Sequence, residues 1–316
     1  NTLSIIERLE PLAHEKHIVS LLGTDSAPLR KYLLERIDDN ALLSSLPALK
    51  ELQMIDHVKQ QNGHLSKLVN RFEIKLNVGN SRQAIDNIVN SNTLTDRILA
   101  AEIIGTSGNL EYADYLLQLS RDFEPEVKLA SVKAMARLGY AGHSYALIGY
   151  LTTPVYYPYA FEALIKIGDP ALPFMEECFL LPEVDDKLLL RIVRIYGKIG
   201  TEAAIESLLS KIENQNRAIS RQALLALREA KFQSSPGNIN RILNDIVRLI
   251  NVMSWNFGAF ASIKDHHDFT ELKTALSAEI KDNYETLYHL LSLAYNPNSI
   301  SNIKVLLTDG NDTDIS

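Results

Sequence analysis

The sequence predicts an all-α chain, an α-solenoid of stacked helical hairpins with a helical C-terminal cap. Three observations lead there. A pattern of helix, glycine and polar turn returns at intervals of 34, 29, 32 and 30 residues from about residue 94 onward. The 316 residues include 48 leucines. Glycine (14) and proline (11) are scarce, about 4.4% and 3.5% against roughly 7% and 5% in an average chain. Much leucine and few breakers favour helix over the turn-dense pattern of β-sandwiches.

Residues 1–79 are helical in pattern but irregular, and Leu21–Ile37 reads as the turn and second helix of a worn repeat. Asn62–Gly63 and Asn77–Gly79 mark breaks. Residues 80–232 form the regular array. Its helix ends read AAEIIGTSG, AMARLGYAG, ALIKIGDPA and IYGKIGTEA, anchored on Gly105, Gly139, Gly168 and Gly200, with Ala230 in the fifth copy. Glycine past a helix end adopts the left-handed cap that other residues resist, so each anchor is expected to be such a cap. Thirty-odd residues hold two helices and two short turns. First helices are expected at about Leu110–Ser120, Gly142–Leu151, Pro170–Leu180 and Glu202–Ile212. Second helices are expected at Thr95–Ile104, Pro125–Leu138, Pro158–Ile167, Asp186–Ile199 and Ala218–Glu229. Pro125 and Pro170 suit first turns, where a missing N–H is no loss. Both helices of a unit carry apolar residues at spacings of 3 and 4, such as Leu129, Val132, Met135 and Ala136, or Ile192, Ile195, Tyr196 and Ile199. One hairpin cannot bury two such faces, so neighbours must stack. Residues 233–316 follow the QSSPGN turn as a cap of two long helices, about Ile239–Ala261 and Phe269–Ala294, with another helix begun at Asn298–Leu307. The uncharged run Leu249–Ile263 is shorter than the ~20 apolar residues of a spanning helix and is expected to be buried, with no membrane span.

A helix ending in (Ile/Leu)-Gly, a polar turn, and a second helix opening with Pro-Glu-Val-Lys-Leu-Ala (residues 125–130) resembles the HEAT-repeat family, especially its short bacterial form. The resemblance covers about Asn80–Phe232 and weakens in Val155–Gly168, where the acidic start becomes PVYYPYAF. It implies an α-solenoid that recognises macromolecules through the second helix of each pair and carries no catalysis. Tyr288–Leu307, behind such an array, is similar to soluble regions fused behind bacterial ATP:ADP-antiporter-type carriers. That implies a regulatory region of a larger membrane protein. Residue 1 is Asn1 and not methionine, and the helix at Asn298–Leu307 would need a partner before the sequence stops at TDGNDTDIS, so both ends read as cuts inside a longer chain.

The net charge is −7, which argues against a general nucleic-acid binder. Its distribution is more informative. The second helices sum to +6 and the first helices with their turns to −8. Lys187, Arg191, Arg194 and Lys198 fall at i, i+4, i+7 and i+11, one stripe of one helix, and Arg217, Arg221 and Arg228 repeat it on the next. Two residues before each anchor stand Arg137, Lys166, Lys198 and Arg228, where cations also favour the helix dipole. Tyr156, Tyr157, Tyr159 and Phe161 cluster at the degenerate repeat, with Phe161 expected to start the core run of Leu164 and Ile165. Tyrosine with arginine is the composition of interface hot spots. The expected partner surface is therefore Tyr157, Tyr159, Lys187, Arg191, Arg194, Lys198, Arg217, Arg221 and Arg228. Its occupant is an acidic segment of a partner protein or another part of the parent chain.

Motifs for an enzyme are missing. There is no G-x-x-x-x-G-K-[ST], G-x-G-x-x-G or G-x-S-x-G, so no cofactor is expected and the chain is read as no enzyme. HEKH (His14–His17) lacks the spacing of a zinc helix, DHHD (Asp265–Asp268) diverges around a helix, and TDGNDTD (Thr308–Asp314) lacks the calcium-loop register. The single cysteine, Cys178, fits a reducing compartment and reads as inert filling; a cytoplasmic setting is expected. The enzyme alternatives are the bilin lyases and alkyl-purine DNA glycosylases built on HEAT repeats. The first lacks a marked acid or base here, and the second needs a cationic surface of DNA size.

Overall fold

A hairpin with two apolar faces dictates the architecture, because each face needs another helix to cover it. The computed structural model describes residues 17–24, 26–39, 42–54, 63–78, 81–265 and 267–309. Among these every long element is helical and none is a strand. The chain divides into two units, Asn1–Pro182 and Glu183–Ser316, a boundary inside the expected 80–232 array. Asn62 and Gly79 of the expected breaks, His14 of HEKH and the end of TDGNDTD lie outside the described residues.

The first unit contains α1 (Ala27–Asp39), α2 (Leu46–Met54), α3 (Gly63–Val78), α4 (Arg82–Val89), α5 (Leu94–Ser107), α6 (Ala113–Leu119), α7 (Pro125–Leu138), α8 (Ser144–Tyr150), α9 (Tyr157–Ile167) and α10 (Leu172–Glu177). The second contains α11 (Asp186–Ile199), α12 (Glu202–Lys211), α13 (Arg217–Glu229), α14 (Ile239–Ile263), α15 (Thr270–Ala294) and α16 (Pro297–Asp309). All five second helices form as expected, α7 and α11 to the residue. Three of the first helices are shorter than expected. Each begins as a 3-10 turn (Leu110–Tyr112, Ala141–His143, Asp169–Ala171) before only six or seven α-helical residues.

Gly139 and Gly200 are left-handed caps, as expected; Gly168 has positive φ (+71°) but at ψ −139° lies outside the left-handed helical region. Gly105 is no cap. It lies inside α5, and the cap is Gly108 at φ +69°. Its small size serves another purpose: a Cβ there would lie 2.7 Å from the Cα and Cβ of Ala134 on α7. Gly197 of α11 plays the same part in the second unit, its Cβ position 2.8 Å from Ala226 Cβ on α13. At the fifth anchor Ala230 stays right-handed (φ −70°), and the positive φ passes to Lys231 at 55°.

Polar side chains tie successive hairpins. Arg137 of α7 pairs with Glu102 of α5, both side chains under a tenth exposed. Lys166 of α9 donates to the carbonyl of Arg137, the last turn of α7. Arg97 meets Asp122 through two hydrogen bonds of 2.7 and 3.2 Å. Ser131 Oγ donates to the Leu116 carbonyl at 2.6 Å, and the buried His143 ring reaches the Ala113 carbonyl through Nε2 at 3.0 Å. Burial pulls the His143 pKa below its ordinary value, so this ring is a neutral fastener.

In the second unit α14 and α15, 25 residues each, pack on one another. Arg241 and Arg248 of α14 pair with Glu206 and Glu213 beside α12, the first at 2.7 Å, while α15 packs on α13 and α14. The expected burial of Leu249–Ile263 is not what forms. Within that run only Met253 and Asn256 are buried, and Trp255 is 70% exposed. α15 covers one side of α14; no described element covers the other. Among the described residues α14 alone is long and apolar enough to cross a membrane, by length and composition.

The close approaches set a stability test. Gly197→Ala should lower unfolding stability in urea by about 1–3 kcal/mol, as overpacking of a formed contact does. Gly108→Ala should lower it by about 1 kcal/mol, from left-handed strain alone. Equal and negligible losses would mean that α11 and α13 are not held so near.

Candidate functional site

The cationic rows take shape because the opposite faces of their helices are spent on the core. In α11, Ile192, Val193, Ile195 and Tyr196 are buried, which turns Lys187, Arg194 and Lys198 outward and leaves Arg191 half-buried. In α13, burial of Ile219, Ala223, Leu224, Ala226 and Leu227 leaves Arg217, Arg221 and Arg228 exposed. Both rows run along seams with the next helix. Arg194 Nε donates to Gln222 Oε1 at 3.3 Å, and Lys198 lies 3.5 Å from Glu229, both partners on α13.

The α13 row meets acids of α15. Arg217 makes a two-pronged contact with Glu279, and Arg221 Nη1 lies 3.2 Å from Asp282 Oδ1. The Glu279 carboxyl is held below its usual range by Arg217, and the Arg217 guanidinium is raised in turn. Glu285, one step further along α15, is taken by Lys304 of α16 at 2.6 Å. Arg228 lines a cavity of about 320 Å³ with Tyr288, His289 and Lys304. His289 is pushed down, first by burial and then by the Arg228 charge. Glu279, Asp282 and Glu285 stand at i, i+3 and i+6, a helical spacing legible in the sequence itself.

Tyr157 and Tyr159 belong to the first unit and the cations to the second. Tyr157 is half-buried against Phe161, ring centroids 5.4 Å apart, and Lys133 lies 5.1 Å above the Tyr159 ring. Tyr156 meets Tyr150 edge-on at 5.0 Å. Of the expected core run Phe161, Leu164 and Ile165, only Leu164 is buried; Ala160 and Ala163 fill the core beside it, and Phe161 and Ile165 are half-buried. Small residues at the buried positions let α9 sit close to its neighbours and push the ring to the edge.

A second acidic cluster lies where α12, α13, α14 and α15 meet around a cavity of about 330 Å³ lined by Arg217, Arg221 and Arg248 among others. Arg248 bonds Asp245 Oδ1 at 2.8 Å and also holds Glu213. Asp245 is buried, and burial with the nearby Glu213 charge pushes its carboxyl up to about 6. Glu213 moves down, held first by its bond to Arg248. Cys178 is buried, its thiol pushed up by that burial. Asp265 and Asp268 are exposed, and among the described residues no group of three or more His, Cys, Asp or Glu could hold a metal.

No family model matches the chain, and no curated protein does. Solved structures do match. An engineered protein matches over 95% of this chain and 86% of its own, at 14% identity and a TM-score of 0.35. Human deoxyhypusine hydroxylase, solved in complex with glycerol, matches over 88% and 96% at 15% identity and a TM-score of 0.27. A second engineered protein matches over 89% and 98% at 13% identity and 0.21. Scores this low carry no argument about the site. The all-α helical-repeat fold rests on the chain's own stacked hairpins.

The Asp245 cluster gives a pH signature. A carboxyl whose folded pKa lies near 6, above about 3.9 unfolded, binds its proton more tightly when folded. Its stabilisation is full below about pH 4 and is lost as pH rises to about 6. Glu213 acts oppositely, and its contribution is lost only as pH falls below the usual glutamate range. Asp245→Asn should therefore raise stability at pH 7.5 by on the order of 1 kcal/mol and flatten the fall between pH 4 and 6. Urea unfolding across that range checks both.

Proposed function

We propose that this chain is a non-catalytic helical-repeat interaction module that takes an acidic protein segment along the cationic rows of α11 and α13. The observation that carries the reading is the seam between α13 and α15. One arginine row of this chain already holds carboxylates presented at helical spacing by a neighbouring helix. The arginine side chains stay 64% and 54% exposed there, so an incoming carboxylate has access to them. Exposed pairs contribute about 0–1 kcal/mol each. Exchanging one partner acid for another then costs little per pair, and affinity must come from several pairs acting together.

Lys187, Arg191, Arg194 and Lys198 extend the cationic surface one helix back, and Tyr157 and Tyr159 offer a separate aromatic surface in the first unit. The acidic segment can belong to another protein or to a further part of a longer parent. The second form is the one a regulatory region fused to a membrane carrier would use. The net charge of −7 favours protein carboxylates over nucleic acid as the ligand, since the cations are confined to rows.

The test uses a fluorescent synthetic helix with Glu at i, i+3 and i+7, followed by anisotropy. Binding should weaken steeply with salt, and Arg191→Glu with Arg221→Glu should weaken it at least tenfold while the unfolding midpoint moves by only a few degrees. Unchanged binding in the double variant, or tighter binding of duplex DNA than of the peptide at about 100 mM salt, would retire the reading.

A further inference from the structure

The last turns of α13 and α15 and the start of α16 form a corner where cations gather without acids. The cavity of about 320 Å³ there is lined by Arg228 of α13, His289 of α15 and Lys304 of α16, one basic side chain from each helix. A second cavity of about 620 Å³ shares Arg228, Ser292 and Pro297 with it and adds Lys231, Phe232 and Tyr295. Among the described residues neither cavity is lined by an aspartate or glutamate. Lys304 is anchored by Glu285 at 2.6 Å, whereas no described carboxylate pairs with Arg228 or Lys231. The surplus is felt at His289, whose pKa is lowered by burial first, then by Arg228, with Lys304 and Arg221 adding to it against Glu285.

Lys231 is a second, independent sign. Gly139 and Gly200 close their helices in left-handed backbone, but at the end of α13 the residue of positive φ is a lysine, at 55°. Glycine takes that conformation freely and lysine only under strain. Non-glycine residues held this way gather at functional sites, where the surrounding structure fixes them. Lys231 lines the larger cavity.

We propose that this corner of the second unit binds a phosphate monoester, its phosphate between Arg228 and Lys304 and its organic body against Phe232 and Tyr295. A compact dianion matches a recess with two cations and a histidine able to take up a proton. Guanidinium and ammonium groups bond phosphate oxygens through short charge-assisted contacts. A single carboxylate would leave one cation unmatched. The end of α16 is not the recognition element, because the Asn298 and Ser299 amides already donate to Asn296 Oδ1 at 2.9 and 3.4 Å. Both volumes fall within the range of small-molecule sites, about 300–1,000 Å³. The site goes beyond the acidic-segment reading: it shares Arg228 with that row, but it is a recess and not a seam.

Calorimetric titration of the full chain with phenyl phosphate, a dianion at about pH 7.5, tests this. Binding is expected with a Kd of about 1 mM or below. It should be tighter than for inorganic phosphate, which has no ring, and for benzenesulfonate, which carries one charge less. Arg228→Gln should weaken it at least tenfold. Lys231→Gly should weaken it several-fold and also raise unfolding stability, because glycine relieves the strain. A lysine with a purely structural role would give the second change without the first. In proton NMR the His289 signal, identified by its loss in His289→Gln, should titrate at higher pH with the ligand bound, since an anion favours the imidazolium. Tighter binding of a phosphotyrosine peptide than of phenyl phosphate assigns the ester to a protein segment, and weaker binding assigns it to a free small molecule. No heat with phenyl phosphate at about 10 mM would overturn the proposal. So would binding indifferent to Arg228→Gln, or benzenesulfonate bound as tightly.

Discussion

Everything in this molecule depends on the closeness with which second helices pack on one another. A hairpin of amphipathic helices carries apolar residues on two sides, and burying both requires a neighbour before and a neighbour after. Gly105 against Ala134 and Gly197 against Ala226 show how near the backbones come. At that distance a methyl group is excluded, so the contact is set by shape and not by hydrophobicity alone. Alanine accordingly fills many core positions in these helices: Ala100, Ala101, Ala130, Ala134, Ala136, Ala160, Ala163, Ala223 and Ala226 are all buried.

Close packing of helices also decides what polar residues at the seams can do. Cations two residues before each anchor occupy equivalent places, yet their fates differ with burial. Arg137 is sealed against Glu102, Lys166 reaches the end of α7, and Lys198 meets Glu229 in the open. A sealed pair specifies register, because removing one partner strands the other in a dry setting. An open pair is replaceable. In the first unit Arg97 and Arg137 are sealed in this way, while Arg82 and Lys50 pair in the open; α11 and α13 of the second unit keep Lys187, Arg194, Lys198, Arg217, Arg221 and Arg228 exposed.

The same constraint gives meaning to α14. It continues the layer of α12 through Arg241 and Arg248 and is covered by α15 on one side, so the logic of stacking leaves its other side unfinished. An uncharged run of fifteen residues there is what an inner helix of a longer stack would carry. The exchangeable arginine seam and the open face of α14 lie in one unit, a few helices apart in sequence.

Much of this was readable beforehand. Periodicity and glycine spacing located all five second helices, and Gly139 and Gly200 form the left-handed caps their positions called for. The stripes of α11 and α13 were likewise legible, since spacing along a helix determines which residues share a face. What spacing cannot tell is what stands opposite that face. Gly105 looked like a cap and serves a contact with a helix some thirty residues later. Phe161 looked like core and was displaced by smaller neighbours. Leu249–Ile263 looked buried because apolar residues usually are. The acids that meet Arg217 and Arg221 lie about sixty residues away on α15, and the Asp245 carboxyl is raised by a burial that its own helix does not reveal. Local conformation follows from each residue's own sterics and periodicity, so the sequence determined the helices and their faces. Partnership and burial arise between segments distant in the chain, and only the tertiary structure decided those.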